Sequence, residues 1–188
     1  MKANFLVGIS LATYFTLLRL FFVPCMLASM IGGAWIMATV FFVLASITDV
    51  VDGILARALN EVTWLGTILD PVVDKLMLIT IYAGLVFGNF IPVSVPVWFL
   101  ALVIVHEVLL MIGAAYWSLF RQEIAINPSR LAKLLGLGQF LFIFWALLCG
   151  FTGTISATLF YQVLMLIAVA RVCLLIQYGM QTYKQVAS

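Results

Sequence analysis

Four aspartates, Asp49, Asp52, Asp70 and Asp74, stand in the otherwise largely apolar stretch 49–75, DVVDGILARALNEVTWLGTILDPVVDK. An ionised carboxylate at the centre of a membrane helix costs about 2.5–3.5 kcal/mol, so four of them need a compensating charge. Asp49, Asp52, Gly53, Ala56 and Arg57 follow the i, i+3, i+4, i+7, i+8 spacing of one helical face. Gly66, Asp70 and Asp74, spaced by four, share one face of the next helix. Antiparallel pairing across a short turn near Glu61 sets Asp52 level with Asp70 and Asp49 level with Asp74. At ~1.5 Å per residue, the carboxylates then lie roughly 10–15 Å from the turn, in one pocket. Two like charges 4 Å apart repel by about 4 kcal/mol at an effective dielectric near 20. Divalent cations turn that repulsion into attraction. All-oxygen donors suit Mg²⁺, Mn²⁺ or Ca²⁺ and argue against zinc. Four carboxylates can hold two such ions, the arrangement that serves phosphoryl transfer.

The small residues on these faces, Gly53, Ala56 and Gly66, leave a groove where a bulky ligand can approach backbone; close helix packing uses the same residues. Arg57, at the mouth, can pair with a pyrophosphate or snorkel as a topology anchor. Pro71 frees the carbonyl of Thr67, which membrane helices tolerate.

The elements that must position these groups read as membrane helices. Of 188 residues, 66% are hydrophobic and 9% charged, a balance that excludes an ordinary soluble domain. An all-α polytopic membrane protein is expected, a single domain over residues 1–188, with spans near 14–32, 36–57, 66–88, 93–119, 131–150 and 156–180. Residues 1–13 are too short to span and suit a short interfacial helix. The connections around Gly32–Gly33, Asn89–Pro96 and Gly150–Ser156 carry no Lys or Arg, whereas all nine basic residues flank the opposite connections and the termini. By the positive-inside rule both termini and the acidic pocket face the cytosol. Cys25, Cys149 and Cys173 lack ligand or disulfide spacing. No basic patch suits a nucleic acid, and the lipid bilayer is the expected surroundings.

Written as D-x2-D-G-x2-A-R-x8-G-x3-D-x3-D, the stretch 49–74 resembles the signature of the CDP-alcohol phosphatidyltransferase family at every fixed position. The likeness extends to Thr13, Thr16, Arg19 and Pro24, and to Asn60, Thr63, Leu69 and Lys75, as in the bacterial phosphatidylglycerolphosphate synthases of that family. The resemblance implies two divalent cations, Mg²⁺ or Mn²⁺, on Asp49, Asp52, Asp70 and Asp74. It implies that Asp74 is also the general base, and that Thr13, Gly53, Ala56, Arg57 and Gly66 contact the CDP moiety. Its implied substrates are CDP-diacylglycerol and an alcohol acceptor, its implied assembly a homodimer, and its implied location a bacterial inner membrane.

The second half departs from the related glycerol-phosphate transferases. An Arg-Glu pair in the fourth helix is His106-Glu107 here, and a Gly-Lys-x-Lys-Thr run is Ala132, Lys133, Leu134, Leu135, Gly136. A phosphorylated acceptor calls for cations; Arg130, Lys133 and Arg171 remain for it, each able to act instead as a topology anchor. His106 and Glu107 near mid-membrane are expected to satisfy each other. The expected reaction is phosphatidyl transfer to glycerol 3-phosphate with release of CMP. Transfer to phosphatidylglycerol, as in a cardiolipin synthase, a cation or proton transporter, and an assembly protein that has lost its site are the alternatives.

Overall fold

A computed structural model describes residues 11–59, 64–88, 93–120, 130–154 and 156–187. These form six α-helices, with no strand among the described residues: α1 (Leu11–Ile31), α2 (Trp35–Leu59), α3 (Trp64–Phe87), α4 (Val97–Phe120), α5 (Arg130–Thr152) and α6 (Ala157–Ala187). Each of the six expected spans is a helix. The fourth starts later than expected because Pro96 has no N–H and biases Val95 away from helical geometry; its carbonyl accepts from Phe99 N at 3.0 Å. The sixth runs seven residues beyond 180, since Gln and Lys favour helix although they end the apolar run. The interfacial helix expected at residues 1–13 falls largely on residues 1–10, outside the described set, while residues 11–13 open α1.

Two glycines end helices in the left-handed region. After α1, Gly33 has φ 72°. Its N–H reaches Met30 O at 3.2 Å, and Ala34 N reaches Ser29 O at 2.8 Å, the paired bonds of a Schellman cap. After α5, Gly153 has φ 65° and donates to Cys149 O at 2.9 Å.

The most extensive helix contacts described are those of α1, with α2 on one side and α3 on the other. α3 also packs on α4, α4 on α6, and α5 on both α2 and α6. One stripe of α1, Thr16, Arg19, Val23, Met26 and Met30, is buried throughout. It is polar toward its N-terminal end and apolar beyond, so a single face serves both a site and a core. The facing stripe of α2, Trp35, Ala38 and Phe42, completes that core with Ile81, Tyr82 and Leu85 of α3.

The outward faces are apolar: Phe21, Ile31, Phe87 and Leu166 are among many large hydrophobic side chains left exposed. Such a surface suits lipid, not water. Tyr14–Ile31, Leu131–Gly150 and Ala157–Gln181 are long and apolar enough to cross a bilayer, and Trp35–Val51 and Val97–Gly113 are shorter apolar stretches. The chain is a membrane protein. α3 carries Asp70, Asp74 and Lys75 within its 24 residues, and those charges are what dilute its apolar character.

Candidate active site

The acidic residues meet on α1. Arg19, with no exposed surface, lies with Nη2 3.0 Å from Asp49 Oδ1 of α2 and Nη1 2.5 Å from Asp74 Oδ1 of α3. One turn earlier, Thr16 Oγ1 donates to Asp70 Oδ1. Counting helix rise from the ends at Ile31, Trp35 and Phe87, the residues Arg19, Asp49 and Asp74 all lie about 18–21 Å deep. Equal depth on three helices is what lets one guanidinium bridge two carboxylates.

The spacing sets α2 and α3 face to face, and the positive-inside pattern counts Arg19 among the charges that set topology. To that the structure adds a buried cation from α1 that reaches both Asp49 and Asp74. The signal was available: Thr16 and Arg19 are three apart, on the face that continues into Val23 and Met26, and an arginine deep in an apolar helix needs an anionic partner.

Asp49 and Asp74 keep about half of their side-chain surface open, 48% and 41%. Both reach one positive centre from different helices, so the guanidinium stands in for a cation held between them. Asp49 and Asp70 also lie within electrostatic range of Asp74. Among the described residues, no three acidic, His or Cys side chains converge closely enough to hold a metal ion by themselves. Asp52 lies in α2 on the face of Asp49, but its side chain is outside the described residues. Hard oxygen donors, partly open and already gathered about a cation, fit a divalent ion. The side chains of Thr13, Gly53, Ala56, Arg57, Gly66 and Arg130 fall outside the described residues, although all six positions are helical.

A second polar cluster lies at similar depth on the other side of α3. Glu107 Oε2 of α4 accepts from Lys75 Nζ, and its Oε1 accepts from Arg171 Nη1 of α6 at 3.1 Å. His106 Nδ1 is 3.1 Å from the same Arg171 nitrogen. A guanidinium only donates, so in this contact Nδ1 is the acceptor. With its amide turned to suit both neighbours, Gln139 Oε1 of α5 accepts from Arg171 Nε at 2.7 Å and from its Nη2. The His106–Glu107 pair expected to satisfy itself, 3.5 Å apart, is thus part of a five-residue network. Arg171, named from sequence as an acceptor-binding cation, is fully buried at its centre. Lys133 is exposed on α5.

These contacts gather Asp49, Asp70 and Asp74 beside Arg19 and Thr16 of α1, at one level of the helix bundle. The family model described as CDP-alcohol phosphatidyltransferase matches residues 9–176, a stretch that holds every candidate site residue. The chain belongs to that family. Among similar proteins, a CDP-diacylglycerol–glycerol-3-phosphate 3-phosphatidyltransferase of Blochmanniella floridana is 41% identical over 70 residues, 36% of this chain and 37% of that protein. A human cardiolipin synthase (CMP-forming) is 33% identical over 93 residues, 49% of this chain and 29% of that protein. A probable phosphatidylglycerophosphate synthase of Mycobacterium tuberculosis (strain ATCC 25618 / H37Rv) is 34% identical over 104 residues, 52% of this chain and 48% of that protein. The chain thus spans less than half the length of each of these relatives. For a CDP-alcohol phosphatidyltransferase, the buried Arg19 and Thr16 make α1 part of the acidic site and not only its support.

Proposed function

We propose that the chain transfers the phosphatidyl group of CDP-diacylglycerol to glycerol 3-phosphate, releasing CMP. The observation that carries this reading is Asp49 of α2 and Asp74 of α3 meeting at one buried cation, with Asp70 a turn away from Asp74. Asp74 takes the proton of the acceptor hydroxyl. The acceptor oxygen then bonds to the lipid-linked phosphorus, and the bond from that phosphorus to the bridging oxygen breaks as CMP departs. Asp49, Asp52, Asp70 and Asp74 would hold two Mg²⁺ or Mn²⁺ ions, and these would supply positive charge to offset that of the departing phosphate. Gly53, Ala56, Arg57, Gly66 and Thr13 would line the CDP groove. Lys133 and Arg130 lie toward the N-terminal end of α5, where an acceptor phosphate can meet them.

A second acceptor has a specific observation behind it. Arg171 is engaged by Glu107, Gln139 and His106, which leaves fewer cations for a phosphomonoester and favours phosphatidylglycerol, giving a cardiolipin synthase. In either reading six membrane spans, a cytosolic active site, a bacterial inner membrane and a homodimer form the setting.

Protein purified in detergent, given CDP-diacylglycerol and Mg²⁺ or Mn²⁺, is expected to release CMP with glycerol 3-phosphate. Mass spectrometry of the lipid product identifies the acceptor. Chelation should stop the reaction. Asp74→Asn should lower turnover by at least about 10²-fold while CDP-lipid binding persists. Release with phosphatidylglycerol alone moves the assignment to cardiolipin synthesis. No release with any alcohol removes the enzymatic reading and leaves a cation pathway.

A further inference from the structure

α3 presents two consecutive charged residues to opposite halves of the bundle. Asp74 meets Arg19 of α1, and Lys75 meets Glu107 of α4, which Arg171 of α6 holds from its other oxygen. Consecutive helical residues project about 100° apart, so a single rotation of α3 about its axis must satisfy both partners together. Glu107 and Arg171 are buried, and Arg171 is fixed further by Gln139 and His106. The anchor on the α4 side is therefore rigid, whereas the Asp74 side is about two-fifths exposed.

We infer that Lys75 is a positioning residue. Through Glu107 and Arg171 it sets the rotation of α3 that aims Asp70 and Asp74 at α1 and α2. The inference rests on the proposed metal-dependent transfer. It gives the buried network of α4, α5 and α6 a task in the reaction without contact with substrate. Outer partners of this kind tune a site by holding its ligands within a fraction of an ångström.

The test uses the whole 188-residue chain and two variants, Lys75→Met, which keeps most of the length and loses the charge, and Lys75→Arg, which keeps the charge. Mn²⁺ affinity is read by electron paramagnetic resonance without substrate, and kcat and KM from CMP release. Lys75→Met is expected to weaken Mn²⁺ binding about tenfold and to lower kcat by up to about 10²-fold. Its KM for CDP-diacylglycerol should stay within about twofold. Lys75→Arg should recover most of both losses. Should the methionine variant not give a monodisperse protein, Lys75→Gln carries the same readouts. A fall in melting temperature alone, with Mn²⁺ affinity and kcat kept, overturns the inference. If wild-type protein binds Mn²⁺ but releases no CMP, the proposed reaction fails while Mn²⁺ affinity still decides the role of Lys75.

Discussion

Arg19 shows how one side chain can set the state of a membrane-embedded site. Two carboxylates at this depth repel each other, and a guanidinium between them supplies both charge and fixed geometry. Removing it strands Asp49 and Asp74 without their shared partner. Breaking a buried pair costs about 3–5 kcal/mol, and the partial exposure of these aspartates points to the lower end. Arg19→Ala is thus expected to lower the melting temperature in detergent by several degrees. Arg19→Lys, which offers one nitrogen where two are used, should fall between. An unchanged melting curve for the alanine variant would show that the bridge contributes nothing to the fold.

At the scale of elements, α1 decides how α2 and α3 relate. Its buried stripe meets the face of α3 that carries Asp70, Asp74, Ile81 and Gly84. At Gly84 the two helices pack closely: a Cβ there would sit 2.6 Å from Met30 Sδ and Cε. Those atoms are the flexible end of a methionine. Gly84→Ala should therefore be tolerated, at about 1–3 kcal/mol, the range for overpacking a core. Gly84→Leu has no such escape and should push α3 from α1, separating Asp74 from Arg19. Thermal unfolding and CMP release are expected to fall together in that variant. Loss of stability with full turnover would show that the spacing of α1 and α3 does not govern the site.

Across the whole molecule, each of the six helices contributes to one polar layer. Arg19, Asp49 and Asp74 form its first half; Lys75, Glu107, Gln139 and Arg171 form the second, with α3 common to both. Apolar side chains face outward around it. Charge that must lie in the membrane is gathered inside the bundle, where partners compensate it. Six spans with cytosolic termini predict the labelling of single cysteines in a background lacking Cys25, Cys149 and Cys173. Cysteines at Gly33 and Thr154 should react from outside intact cells, and one at Lys133 only from the cytosolic side. Reaction of all three from the same side would overturn the proposed topology.

What the sequence determined by itself follows from local rules. Apolar runs broken at Gly, Pro and charge set the six helices to within a few residues at most ends, and spacing by three and four put the aspartates on two faces. Family membership followed from the same fixed positions, Asp49 to Asp74, now matched across residues 9–176. What only the tertiary structure decided is which face meets which. No rule of spacing states that α1 lies between the acidic faces of α2 and α3. Nor does spacing show that Glu107 looks to Lys75 and Arg171 before His106. Helical periodicity is a property of each segment, whereas a buried charge finds its partner by three-dimensional packing. Arg19 and Asp49 are thirty residues apart in the chain and 3.0 Å apart in the fold.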